Sequence, residues 1–218
     1  MATAEVAPDS QRAWWLRALL VLQAPRPVFV ALRDESPEAA DARSEPATAL
    51  VFLAGIGAVL LAPAFGHLFD DYALDSLDVL VIVVFAGSLY GFFSYWILGW
   101  TLSLGVRTVG GEAPARRCRH VLAFAVAPLV LSLLAVWPLR LALYGSDVFR
   151  YGGSDAGTGG QILRWLSVAF AAWSFVLLVY GIRTVQRCGW LRALGATGFA
   201  IGLVGLVLAL WAFLPAGK

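Results

Sequence analysis

Charge is scarce in this sequence. Of 218 residues only 14% are Asp, Glu, Lys or Arg, while 60% are hydrophobic. An ordinary soluble domain is about 45–50% apolar and about 25% charged. The low hydrophobicity that disorder requires is missing. A soluble globule could not hide so much apolar surface, and the mean hydropathy is +0.78. Cysteine is nearly absent: Cys118 and Cys188 are too few for a disulfide framework. Histidine occurs only at His67 and His120, and lysine once, as Lys218. Sixteen basic against 14 acidic residues give a net charge of +2, so no electrostatic footprint for nucleic acid exists.

What is present is a series of charge-free apolar runs, at 46–66, 79–106, 121–139, 165–182 and 193–217. A hydrocarbon core of about 30 Å takes about 20 helical residues. None of the runs alternates with period two, and backbone groups in lipid must pair internally, so helices are expected and not a barrel. The expected fold class is all-α: a polytopic membrane bundle with five spans at about 47–66, 78–106, 120–140, 163–183 and 193–214. These spans form one transmembrane domain over 47–217, behind an N-terminal segment over 1–46. The connectors agree: 67–76 carries Asp70, Asp71 and Asp75, and 107–120 holds Gly110, Gly111 and Pro114. The stretch 144–161 is rich in Gly and Ser.

Orientation follows from the basic residues. Twelve arginines fall on the side of the N-terminus, against Arg140, Arg150, Arg164 and Lys218 on the other. The positive-inside rule places the N-terminus in the cytoplasm and the C-terminus outside. Within the N-terminal segment, 14–22 is apolar except for Arg17 and too short to span. Arg17 breaks it as a signal-peptide core, and no small-x-small cleavage site follows. It reads as a cytoplasmic interfacial helix, with Trp14 and Trp15 at headgroup level and Arg12 and Arg17 reaching anionic lipid. Arg116, Arg117 and Arg119 form a second basic membrane-surface group before the third span. The acidic stretch 35–45 reads as a linker into the first span.

Reactive constellations are lacking. Cys118, His120 and Cys188 share one side but fall short of four metal ligands, so no metal or cofactor is expected. Charge is absent from every span centre, where transport and proton pathways usually place it. Asp78, Arg140 and Arg164 sit at helix ends as anchors, where Arg140 can snorkel. Ser88, Tyr95, Thr101 and Ser103 make a hydroxyl stripe on the second span. Such hydroxyls usually bond their own helix. Lining a cavity, they would suit a small transporter or lipid-handling protein. No nucleophile stands beside a base, so an enzyme is not expected. Gly87 with Gly91, and Gly198 with Gly202, have the small-xxx-small spacing that lets helices approach closely. Internal packing is the default for such pairs. The fifth span, extended by Gly195 and Gly205, is the best surface for a partner. Pro128 inside the third span removes a backbone bond and implies a kink.

In this arrangement the chain resembles the bacterial branch of the Yip1 family of five-span membrane proteins. Pro25-Arg26-Pro27-Val28-Phe29 resembles the Pro-x-x-Phe start of the family. Ala123, Phe124 and Pro128 stand where its Gly-Tyr-x-x-x-Pro segment would place Gly, Tyr and Pro. The fourth span ends Tyr180-Gly181-Ile182-Arg183, similar to the family's exit from that helix, whereas the Asp-Leu-x-Gly-Pro element of eukaryotic members is not visible. The resemblance implies a non-catalytic adaptor or scaffold in the bacterial inner membrane. Its partners would be the lipid bilayer and a membrane or cytoplasmic protein, such as an export transporter, or a second copy in a homo-oligomer.

Overall fold

The structure is a computed structural model that describes residues 8–62, 70, 75–112 and 114–213. His67, Asp71, Lys218 and the ends of the first and fifth expected spans, 63–66 and 214, lie outside the described residues. The described elements are all helical. Two short helices, α1 (Pro8–Leu20) and α2 (Pro25–Ala31), precede α3 (Pro37–Leu61) and α4 (Ser76–Thr108). Then come α5 (Ala115–Ala125) and α6 (Ala127–Tyr144), two 3-10 turns (Gly145–Phe149 and Ser154–Ala156), α7 (Thr158–Gln186) and α8 (Trp190–Phe213).

Helix starts follow local chemistry. The stretch 35–45, expected as a linker, is mostly the first turns of α3. Ser36 Oγ accepts from the Ala39 N–H at 3.3 Å, and Pro37 takes the first turn, where its missing donor costs nothing. Pro46, the first residue of the apolar run 46–66, lies buried inside the helix. At α4, Asp75 Oδ1 accepts from the N–H groups of Leu77 (2.8 Å) and Asp78 (2.9 Å). Asp78 accepts back from the Asp75 N–H at 3.1 Å, completing a capping box. The third span is broken at Val126, and Pro128 sits in the first turn of α6. A proline disfavours helical geometry in the preceding residues and cannot donate, so the interruption falls just before it. Arg187 closes α7 in the left-handed conformation (φ 51°), and its N–H bonds the Arg183 carbonyl.

The long helices form a ring. α4 lies between α3 and α8, α6 between α3 and α7, and α7 returns to α8. α5 packs against α3, α4 and α7, with α1 laid on α3 and α2 on α7. The densest core therefore gathers at the end of the bundle where the N-terminal helices dock. Val28, Phe29, Leu32, Val121, Phe124 and Ile182 are fully or almost fully buried there. Outward faces are apolar: Phe85 is 66% exposed and Trp165 70%. Five helices are long and apolar enough to cross a membrane: Pro37–Leu61, Leu77–Thr108, Ala115–Phe149, Thr158–Gln186 and Trp190–Val207. Such exposure is untenable in water and natural against lipid.

The tightest crossing joins α3 and α4. A Cβ on Gly87 would lie 2.5 Å from the Ile56 Cα, and one on Gly91 2.5 Å from the Val51 carbonyl oxygen. A Cβ on Gly55 would lie 2.6 Å from the Gly91 backbone nitrogen. These backbones touch because no side chain separates them. Gly91→Leu forces the helices apart and should cost at least the roughly 1–3 kcal/mol of an overpacked core. The check is the thermal midpoint in mild detergent, which should fall clearly below that of the unaltered protein.

Candidate functional site

Two features merit a functional reading: a polar hub under the N-terminal helices and the free face of α8. The hub is built on Arg43, which is completely buried on α3. Its Nε donates to His120 Nδ1 at 2.8 Å, and its Nη1 donates to the Asp34 carbonyl at 2.7 Å. Accepting at Nδ1 requires the imidazole tautomer protonated on Nε2. The Arg43 guanidinium also lies 5.8 Å from the Trp14 ring centre, and Trp14 packs on Phe124 at 5.4 Å. One side chain thus ties α1, the α2–α3 connection and α5 to α3. Nearby, the Ser36 N–H donates to Asp34 Oδ1 at 3.0 Å, which holds that carboxyl below the ordinary carboxylate range.

Several of the expected membrane-surface residues pack against the protein itself. Trp14 is buried and carries Arg17 over its ring at 4.5 Å. Trp15, at 40% exposure, faces outward, and Arg12 is exposed. Arg117 pairs with Glu35 at 2.6 Å, and Arg116 Nη2 donates to the Glu35 carbonyl at 3.1 Å. Arg119 lies on the Trp96 ring at 3.8 Å, a cation–π distance. The three arginines before the third span therefore have partners inside the protein, because a carboxylate and an aromatic face stand within their reach. Cys118 is buried, Cys188 is half-buried, and His120 Nδ1 is occupied by Arg43. Among the described residues no three possible ligands converge.

Arg140, expected to snorkel, is instead buried and ion-paired with Asp155, its guanidinium 4.9 Å from the Trp137 ring. On the hydroxyl stripe, Thr101 donates to the Leu98 carbonyl of its own helix at 3.1 Å. Ser103 is buried, while Ser88 and Tyr95 are half-buried.

The glycine pairs divide in two. Gly87 and Gly91 are spent inside the chain on α3. On α8 the inward face is alanine: Ala193, Ala196 and Ala200 are buried, and α4 meets it through Gly105 packed on the Ala196 backbone. Gly198, Gly202 and Gly205 fall on the other face, where an added Cβ would meet nothing within 4 Å. Sequence reasoning missed Arg43 and Gly55. The available signals were an arginine three residues before Pro46, at the depth of His120, and a small residue opposite the Gly87–Gly91 pair.

Five apolar spans, the third broken at Val126, define a multi-pass α-helical membrane protein in contact with lipid. More particularly, the chain belongs to the Yip1 domain family, whose model matches residues 19–212. No curated protein and no solved structure matched the chain.

Removing Arg43 strands the His120 acceptor and the Asp34 carbonyl in a buried setting. Hydrogen bonds to charged groups contribute roughly 1.5–3 kcal/mol each. Arg43→Ala should lower the thermal midpoint in detergent and expose residues 12–36 to limited proteolysis. Arg43→Lys should not restore protection, since an ammonium lacks the planar fork that reaches both partners.

Proposed function

We propose that this protein is a non-catalytic adaptor of the Yip1 type, and that α8 is the face it offers to a partner helix. The reading orients the N-terminus to the cytoplasm and the C-terminus outward in a bacterial inner membrane. It lays α1 at the membrane interface, with Leu16 and Leu19, 64% and 68% exposed, directed to lipid. The partner is a helix of another membrane protein, such as an export transporter, or α8 of a second copy.

One observation carries the reading. Gly198, Gly202 and Gly205 follow an i, i+4, i+7 spacing on a helix, and the described residues leave that line open. Glycine in a helix interior costs roughly 0.5–1 kcal/mol relative to Ala, so three on one unfilled face need a use outside the chain. Close backbone approach by another helix is such a use, and in lipid van der Waals packing is the main source of association.

The test separates packing within the chain from packing against a partner. Because added side chains meet open space, Gly198→Leu with Gly202→Leu should leave the thermal midpoint of the monomer unchanged. Gentle solubilisation from the native membrane, followed by mass spectrometry, should recover a stoichiometric membrane protein or a dimer with the unaltered chain. The double variant should lose it. Equal recovery by both chains rejects α8 as the contact face.

A further inference from the structure

At the end of the bundle opposite the hub, two cavities share a wall. The first is a cleft of about 560 Å³, lined by both charged and apolar side chains, between the ends of α3 and α6, the 3-10 turns and the start of α7. Arg140, Arg150 and Arg164 line it, with Asp155 as its carboxylate. Asp155 is paired with Arg140, while Arg150 and Arg164 are exposed and form no ion pair among the described residues. The Arg140 side chain is 7% exposed, and its Nε has no hydrogen-bond partner among the described residues. Asp70 is the other carboxylate close by, accepting from the Tyr151 N–H at 3.1 Å. The first turn of α7 adds Gly160 and Gln161 to the lining, with no side-chain cap and no acidic residue on that turn. The positive end of the α7 dipole favours an anion there.

The second cavity is an apolar groove of about 500 Å³ among α3, α4 and α6. Ile56, Val83, Leu133 and Leu141 are among its walls, and Leu80, 58% exposed, stands at its open side. Leu60, Trp137 and Phe149 line both cavities, and the Trp137 and Phe149 rings stack at 6.2 Å. A positive compartment therefore lies directly beside an apolar one, along the side of a protein that sits in lipid.

We propose that this paired cavity binds an anionic phospholipid, with its phosphodiester headgroup in the cleft of Arg140, Arg150 and Arg164 and an acyl chain in the groove. Charge fixes the headgroup class: two arginines there form no ion pair among the described residues, and guanidinium groups match phosphate oxygens geometrically. The groove fixes the molecule as a lipid, because a free anion would leave it unused. The site lies apart from the open face of α8 and stands independently of the adaptor reading.

The experiment is native mass spectrometry of the full chain released from nanodiscs of equal phosphatidylglycerol and phosphatidylcholine. The unaltered protein should retain phosphatidylglycerol preferentially as a one-to-one adduct. Arg150→Gln with Arg164→Gln, both at exposed positions, should reduce that preference roughly tenfold, the order of loss expected for two solvent-exposed ion pairs. Leu80→Trp, which fills the groove, should reduce retention while leaving the arginines in place. Equal retention of the two lipids overturns the proposal, as does an unchanged preference in the arginine variant. Displacement by millimolar inorganic phosphate together with an unaffected Leu80→Trp variant would identify a free-anion site and also overturn it.

Discussion

Backbone contact between α3 and α4 at Gly55, Gly87 and Gly91 is the constraint on which the rest of the bundle depends. In a bilayer, apolar side chains gain nothing by leaving lipid for one another, so a helix pair must hold by close packing. Three glycines bring these backbones into direct contact and so place α4. With α4 placed, its opposite face receives the alanine side of α8 through Gly105. α3 in turn carries α6 on another side. The ring of long helices is a consequence of that one crossing.

The N-terminal helices are attached by a different force. α1 and α2 are too short to span and have little helical stability alone. They gain position from aromatic burial, Trp14 on Phe124 and Phe29 near Tyr180, and from the bonds of Arg43 and Arg33. Arg33 donates to the Thr184 carbonyl at the end of α7, where an unpaired helical carbonyl is available. A fully buried guanidinium is costly unless every direction is satisfied. Arg43 offsets that cost with an imidazole nitrogen, a backbone carbonyl and a nearby indole ring. The hub therefore reads as the joint between the N-terminal segment and the bundle.

The free face of α8 and the arginine cleft are the parts of the molecule that packing leaves open. They lie on different elements and differ in chemistry. The α8 face is small and uncharged, suited to another helix. The cleft is basic and shares a wall with an apolar groove, suited to a molecule with both characters.

The class of protein was legible in the linear sequence, and so were the spans to within several residues. Twenty uncharged apolar residues have one stable state in lipid, and that rule is local to each run. The break near Pro128 was legible for the same reason, since proline acts on its own neighbours. What each glycine touches was not legible. Gly87 and Gly202 have the same spacing signature, yet one meets a backbone and the other open space, because helix rotation about its axis is decided by the neighbouring helices. The fate of the arginines was hidden likewise. Arg43, Arg119 and Arg140 look like surface anchors by position, but their partners His120, Trp96 and Asp155 come from other elements or a later turn. Hydropathy alone determined that this chain enters a membrane. Only tertiary packing decided which faces are used up inside it and which remain for something else, because that depends on distances between residues far apart in the chain.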